Sequence, residues 1–188
     1  MGLERRLALM FRDICTDDPH LQVTGVDIFF GQSEEDEEEN DSDEDDDNRL
    51  QEYDKKIWNL NARFRDDRSN DQLRPETFDL VNSRLLVNGI NSDRWPTYVR
   101  DLRHVLKPGG WLQMVELQFP FQSYSGRLSD ESCLNRWWQW YSHAMHSMGK
   151  NARIARDLER LLTAEGFEHI TTRSYDLSIG DWNESWYS

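Results

Sequence analysis

Asp27 ends the apolar run LQVTGVDIFF (residues 21–30), a few residues before a tract of acids. In an open parallel sheet, ligands bind outside the carboxyl ends of the strands. A carboxylate there accepts hydrogen bonds from both hydroxyls of a ribose; the same residue equally suits a loop that marks the strand's exit. His143 and His146, with Cys133 upstream, are metal-binding by residue type alone. At ~100° per residue, His143 lies opposite the apolar stripe of Leu134, Trp138 and Tyr141, and His146 lies well off it. Both are expected to face solvent, and no metal site is assigned. The run RWWQWY (136–141) is expected to be core, with a partial pocket role as the alternative.

These residues must be positioned by elements legible in the pattern. Leu3, Leu7, Met10, Phe11 and Ile14 predict an amphipathic helix that DDPH stops, and LQVTGVDIF follows as a strand. Residues 33–48 cannot bury apolar surface and repel one another, predicting a disordered surface insertion. ARF (62–64) is a candidate short strand, and FDLVNSRLL (78–86) a longer one. Pro96 opens a helix with Tyr98, Val99, Leu102, Val105 and Leu106 as its stripe, which KPGG (107–110) ends. WLQMVEL (111–117) is the next strand. SDES (129–132) caps a helix buried through Leu134, Trp137, Trp138, Tyr141, Ala144, Met145 and Met148. A helix over 154–165 stops at Gly166, and FEHITTRSYDL (167–177) is a final strand. Strands alternating with helices predict an α/β domain with a mostly parallel sheet.

The length of 188 residues suits one domain spanning 1–188, and 8 Trp, 8 Phe and 6 Tyr supply a core. The net charge of -14 is local: residues 34–47 hold 12 acids and no base, leaving 24 acids against 22 basic residues elsewhere. A nearly neutral remainder gives no basic stripe for direct nucleic-acid binding. Two cysteines, Cys15 and Cys133, indicate neither a disulfide framework nor a thiolate zinc site. No apolar run approaches the ~18 residues of a membrane span, so an intracellular place, cytoplasmic or nuclear, is expected.

The stretches VTGVDI, NARFRDD, FDLVNSRLL, WPTYVRDLRHVLKPGGWLQMVEL and ARDLERLLTAEGFEHI occur in that order. Together they resemble the class I S-adenosylmethionine-dependent methyltransferases. The resemblance is closest to the fungal branch of secondary-metabolism methyltransferases and the methyltransferase-like regulator partnered with velvet proteins. It implies a Rossmann-like sheet with Asp27 on the cofactor's ribose, and Asp66 or Asp67 at the adenine edge. Asn82 and Ser83 would lie beside the methionine moiety, and Glu116 near the substrate cleft. It implies no catalytic base, since positioning supplies much of the rate once the methyl group is activated.

The family's first strand and its G-x-G-x-G loop should precede the first helix, and only Gly2 stands where the loop's last glycine would be. The sheet is therefore expected to be incomplete, lacking its first and last strands. Cofactor binding is then expected to be weak or lost, with strands 21–28 and 78–86 either paired directly or poorly packed. Two functions follow. One is methyl transfer to a small molecule, as in secondary metabolism, or to a protein. The other is a non-catalytic regulatory module whose residues 34–47 bind a basic protein, with Ser33 and Ser42 as acidophilic kinase sites.

Overall fold

The computed structural model of the protein describes residues 21–28, 54–64, 73–123 and 128–177. The expected helix at 3–14, the acidic insertion at 33–48, and Gly2, Asp66 and Asp67 lie outside the described residues. Two parallel pairs of strands form the framework. β1 (Thr24–Asp27) pairs with β2 (Asp54–Ile57), register Thr24 to Asp54. β3 (Phe78–Arg84) pairs with β4 (Leu106–Val115), register Leu80 to Trp111 and Arg84 to Val115. The two pairs are separate sheets, so strands 21–28 and 78–86 do not pair with each other.

The strand beside β1 is Asp54–Ile57, and not the expected 62–64. Residues 58–64 form turns because their backbone groups are engaged elsewhere. Ala62 N–H donates to Asn59 O at 2.8 Å, and the Arg94 guanidinium takes the carbonyls of Leu60 and Ala62, each at 3.0 Å. A carbonyl held by a side chain is lost to a strand ladder.

Helix α1 (Trp95–Val105) has Pro96 in its first turn, where the missing N–H costs nothing. It buries Trp95, Tyr98, Val99, Leu102 and Val105, a spacing that lines one face. Arg103 and His104 in its last turn suit the negative end of the helix dipole. β4 then begins at once, earlier than the expected 111–117. Leu106 pairs with Phe78, residues 107–110 loop out, and pairing resumes at Trp111 with Leu80. Gly109 sits at φ +79°, and a Cβ on Gly110 would meet Lys107 O at 3.0 Å and Asp79 O at 3.1 Å. The two glycines do different work: one turns the chain, the other lets backbones touch.

Alternation along β3 and β4 divides the sheet. Val81, Leu112 and Met114 pack against the core, and Ser83 is buried beside α1. Leu80 (60% exposed) and Trp111 (71%) stand on the opposite face.

Helix α2 (Cys133–Ser147) starts at Ser132, whose hydroxyl accepts the Asn135 N–H at 3.2 Å. Of the seven residues expected to be buried along it, only Trp138 and Met145 are; Leu134, Trp137 and Met148 are exposed. The helix is covered along one narrow line, so the wide stripe read from the sequence is mostly surface. The expected helix at 154–165 is two pieces, a 3-10 turn (Ile154–Arg156) and α3 (Leu158–Ala164). Tight i to i+3 bonds, Arg156 N–H to Arg153 O and Asp157 N–H to Ile154 O, close the first piece. The expected strand at 167–177 is absent. His169 at φ +55° ends any extended run after two residues, and 171–177 are exposed, with no partner strand among the described residues.

One core cluster gathers α1, Ile90, Trp138, Met145, Ile154 and Leu161. Among the described residues no helix is long and apolar enough to cross a membrane.

Candidate functional site

The carboxyl ends of the strands carry the groups singled out above. Asp27 is the last residue of β1, exposed, with Oδ1 accepting the Ile28 N–H at 2.6 Å. Its carbonyl accepts the Trp58 N–H at 2.8 Å, which fixes the turn behind it. The strand exit is thus well defined, and the carboxylate lies at its tip.

Asn82 and Ser83 are adjacent on β3 and therefore point to opposite faces. Ser83 Oγ lies 3.1 Å from Tyr98 Oη on the helix-covered side. Burial raises the Tyr98 pKa to about 12, with the Ser83 hydrogen bond acting against it. Asn82 faces away from Tyr98, and its Oδ1 is a buried acceptor with no hydrogen-bond partner. A buried carbonyl oxygen without a donor is costly and uncommon. Asn82 and Ser83 are neighbours in chain but not in surroundings, and Asp27 belongs to the other sheet.

Beyond Arg84 the chain makes an elbow that the sequence did not announce. Leu85 adopts φ +54°, a left-handed conformation that a non-glycine residue rarely takes. Three bonds compensate: Leu85 N–H reaches Val115 O at 2.8 Å, and Glu116 accepts both Leu86 N–H at 2.7 Å and Val87 N–H at 3.1 Å. One carboxylate thereby ties the end of β3 to the end of β4. Burial pushes the Glu116 pKa up, and the two backbone N–H groups pull against that rise. Glu116 was placed near the cleft by resemblance; the only residue-level signal for the elbow was an acid closing an apolar strand.

Aromatic side chains of α2 pack with those of the segment after β4. Tyr141 donates to Asn88 Oδ1 at 2.6 Å, and its pKa is raised by burial and then by the Glu116 charge. The Trp137 and Tyr141 rings stack at 5.0 Å and 10°, and Phe119 stacks on Trp138 at 5.1 Å and 19°. His143 and His146 are exposed, as their helical positions required. Among the described residues no cluster of three or more metal-type side chains occurs.

Comparison with known proteins fixes what kind of fold presents these groups. Residues 7–172 match the methyltransferase domain family. The chain belongs to that family. Its members share the Rossmann-like α/β fold and generally use S-adenosylmethionine, and the described residues contribute two parallel strand pairs with helices. Among curated relatives, methyltransferase pytC of Aspergillus terreus is 28% identical over 123 residues, 65% of this chain and 37% of its own. The secondary metabolism regulator LAE1 of Hypocrea atroviridis is 26% identical over 106 residues, 56% of this chain and 30% of its own. The N-methyltransferase sirN of Leptosphaeria maculans is 28% identical over 104 residues, 55% of this chain and 36% of its own. The chain therefore spans about a third of the length of the curated relatives it matches. No solved structure matches it.

Proposed function

We propose that this methyltransferase domain transfers a methyl group from S-adenosylmethionine to a small molecule of the kind made in secondary metabolism, or to a protein. The observation that carries the reading is the unpartnered, buried Asn82 Oδ1 near the carboxyl end of β3, where the resemblance implies the methionine moiety. An acceptor lacking a donor fits the ammonium of that moiety, and the exposed Asp27 carboxylate at the tip of β1 fits two ribose hydroxyls. Both groups suit the cofactor's chemistry. Gly2 at the methionine end and Asp66 or Asp67 at the adenine edge complete the proposed set.

When bound, S-adenosylmethionine supplies an electrophilic methyl group on a sulfonium. The chain's own contribution is placement. Asp27 holds one end, Asn82 receives the ammonium, and Ser83 acts through its strand, because its hydroxyl is committed to Tyr98. The Glu116 bridge keeps the ends of β3 and β4 in register beside the reacting centre. No side chain is assigned as catalytic base, since alignment accounts for much of such a rate.

Calorimetric titration of 1–188 with S-adenosylmethionine tests the reading. Weak but saturable binding is expected, reduced about tenfold by Asp27→Ala and by Asn82→Leu. Binding indifferent to both substitutions, or none at millimolar cofactor, overturns it.

A second reading rests on a different observation, the 12 acids in residues 34–47 together with the similarity to a relative named as a regulator. In that reading the domain is a regulatory module, and the acidic run binds a basic protein through attraction that salt screens. Phosphorylation of Ser33 and Ser42 would each add roughly −1.5 to −2 charges. Deleting 33–47 should then abolish salt-sensitive association with a polylysine probe and leave thermal stability unchanged. Association that survives the deletion removes this reading.

A further inference from the structure

Helix α2 carries a second apolar face beside the line it buries. Only Trp138 and Met145 are buried along it, while Leu134 is 42% exposed, Trp137 43%, Trp140 72% and Met148 62%. Trp137 is packed in part by Phe119, Phe121 and Tyr141. Trp140 makes no ring contact among the described residues. At ~100° per residue, Leu134, Trp137, Trp140, Tyr141, Ala144 and Met148 fall within an arc of about 120°. That is as wide as the stripe a helix normally buries against a core. Arg136, His143 and His146 fall outside the arc.

Charge and register decide what completes this face. Residues 133–147 include no Asp or Glu, and Arg136 lies off the arc, so the face offers no charge to an acidic or a basic partner. Its side chains instead complement one another end for end. Two antiparallel copies of α2, related by a two-fold axis near residues 140 and 141, set Trp137 of each against Ala144 of the other. Large then meets small twice. Leu134 comes beside Met148, and Trp140 meets its own counterpart at the axis. A parallel arrangement would set Trp137 on Trp137 and leave a gap between the two Ala144. At about 150–250 Å² for an aromatic side chain, the open parts of Trp137 and Trp140 in two copies come to about 350–580 Å². Leu134, Tyr141, Ala144 and Met148 bring the seam toward the roughly 1,000 Å² of a small specific interface.

We propose that the exposed face of α2 is covered by the same face of a second copy of this chain, in an antiparallel two-fold dimer. The association is independent of the methyl-transfer reading. It is small and reversible, because the seam is one helix wide. It also reaches the strand ends indirectly: Tyr141 on α2 donates to Asn88 Oδ1 at 2.6 Å, just past the elbow that follows β3. Pairing the helices braces that segment in both copies.

Sedimentation equilibrium of the full chain at about 1–200 μM tests the proposal, and a reversible dimer with a micromolar dissociation constant is expected. Trp140→Glu and Trp140→Lys each place like charges together at the axis, and each should weaken the dimer at least about tenfold. An equimolar mixture of the Trp140→Glu and Trp140→Lys chains should associate again, because opposite charges then meet. That recovery belongs to a two-fold seam between copies and to no other occupant of the face. Ala144→Trp should also weaken the dimer, since large then meets large. Trp140 and Ala144 are exposed, and melting curves identify any variant that fails to fold. The wild-type measurement needs no variant. A wild-type chain that stays monomeric up to about 200 μM, its α2 face covered by another part of the chain or by a different partner, overturns the proposal. A dimer indifferent to both Trp140 substitutions overturns it as well, and so does a mixture that fails to reassociate.

Discussion

Replacing Arg94 with alanine should cost this domain most of its stability. The guanidinium pairs with Asp101 at 2.6 Å, with both side chains 6% exposed. It also donates to the carbonyls of Leu60 and Ala62 at 3.0 Å each, and to Thr97 Oγ1 at 2.8 Å. One side chain thus fastens the turns after β2 onto the first turn of α1, joining the two strand pairs. Deleting one member of a buried ion pair costs about 3–5 kcal/mol, since the other charge stays behind unpaired. The two carbonyls forfeit about 1 kcal/mol each in addition. A loss of about 5–7 kcal/mol follows for Arg94→Ala, comparable with the whole stability of a domain at the low end of about 5–15 kcal/mol.

The two partners are not equivalent, and that asymmetry is the sharper test. Without Arg94, the Asp101 carboxylate keeps only the Phe64 N–H, at 3.4 Å. Without the Asp101 charge, Arg94 keeps three neutral acceptors. Asp101→Asn should therefore cost about 2 kcal/mol, well below Arg94→Ala. The double variant Arg94→Met with Asp101→Leu removes both charges and should be more stable than Arg94→Ala alone. Urea unfolding followed by tryptophan fluorescence gives all four stabilities. An Arg94→Ala cost under about 1 kcal/mol, or a larger cost for Asp101→Asn, would refute the account of a buried staple.

Two further outcomes are expected. The folded-state pKa of Glu116 lies above its ordinary 4.5, so its contribution is present below that value and is lost as pH rises through the raised pKa. The stability of wild type relative to Glu116→Gln should accordingly fall as pH is raised from about 4.5, and a gap that widens instead contradicts the burial argument. At the 107–110 loop, Gly109→Ala should cost about 1 kcal/mol through positive φ alone, since nothing lies within 4 Å of its Cβ position. Gly110→Ala should cost more because it collides with two backbone oxygens, and thermal melts of the pair decide the order.

Much of this fold was legible because the decisive residues act locally. Pro96, the spacing from Tyr98 to Val105, the Ser132 cap and the turn at Gly109 each specify their element within a few positions. What failed depended on partners distant in the chain. Residues 167–177 have a strand's composition, but a strand exists only where a ladder partner is supplied, and His169 turns the backbone away. Residues 62–64 look equally extended, yet Arg94, some thirty positions later, claims their carbonyls. The apolar stripe of α2 was read as core for the same reason: periodicity shows that a face is apolar, not that anything covers it. The position of Asp27 at the end of a strand was legible from the apolar run that stops there. The Glu116 bridge was not, because it satisfies N–H groups at 86 and 87 that only the left-handed Leu85 brings within reach.

The same argument explains why β3 constrains both stability and the placement of Asn82. Its pleat sends Ser83 into the core and Asn82 to the other face, so a shift of one residue would exchange them. Register is held at both ends: by Phe78 against Leu106 ahead of the looped-out 107–110, and by Glu116 on the Leu86 and Val87 N–H groups. Between these anchors the strand has no freedom to slide. An acceptor as costly as Asn82 Oδ1 is then kept facing its side of the sheet by bonds that Asn82 does not itself make. The energy that holds it there comes from the Tyr98–Ser83 contact, the packed α1 face and the Glu116 bridge. Loosening any of these should show at Asn82 before it shows in the melting temperature.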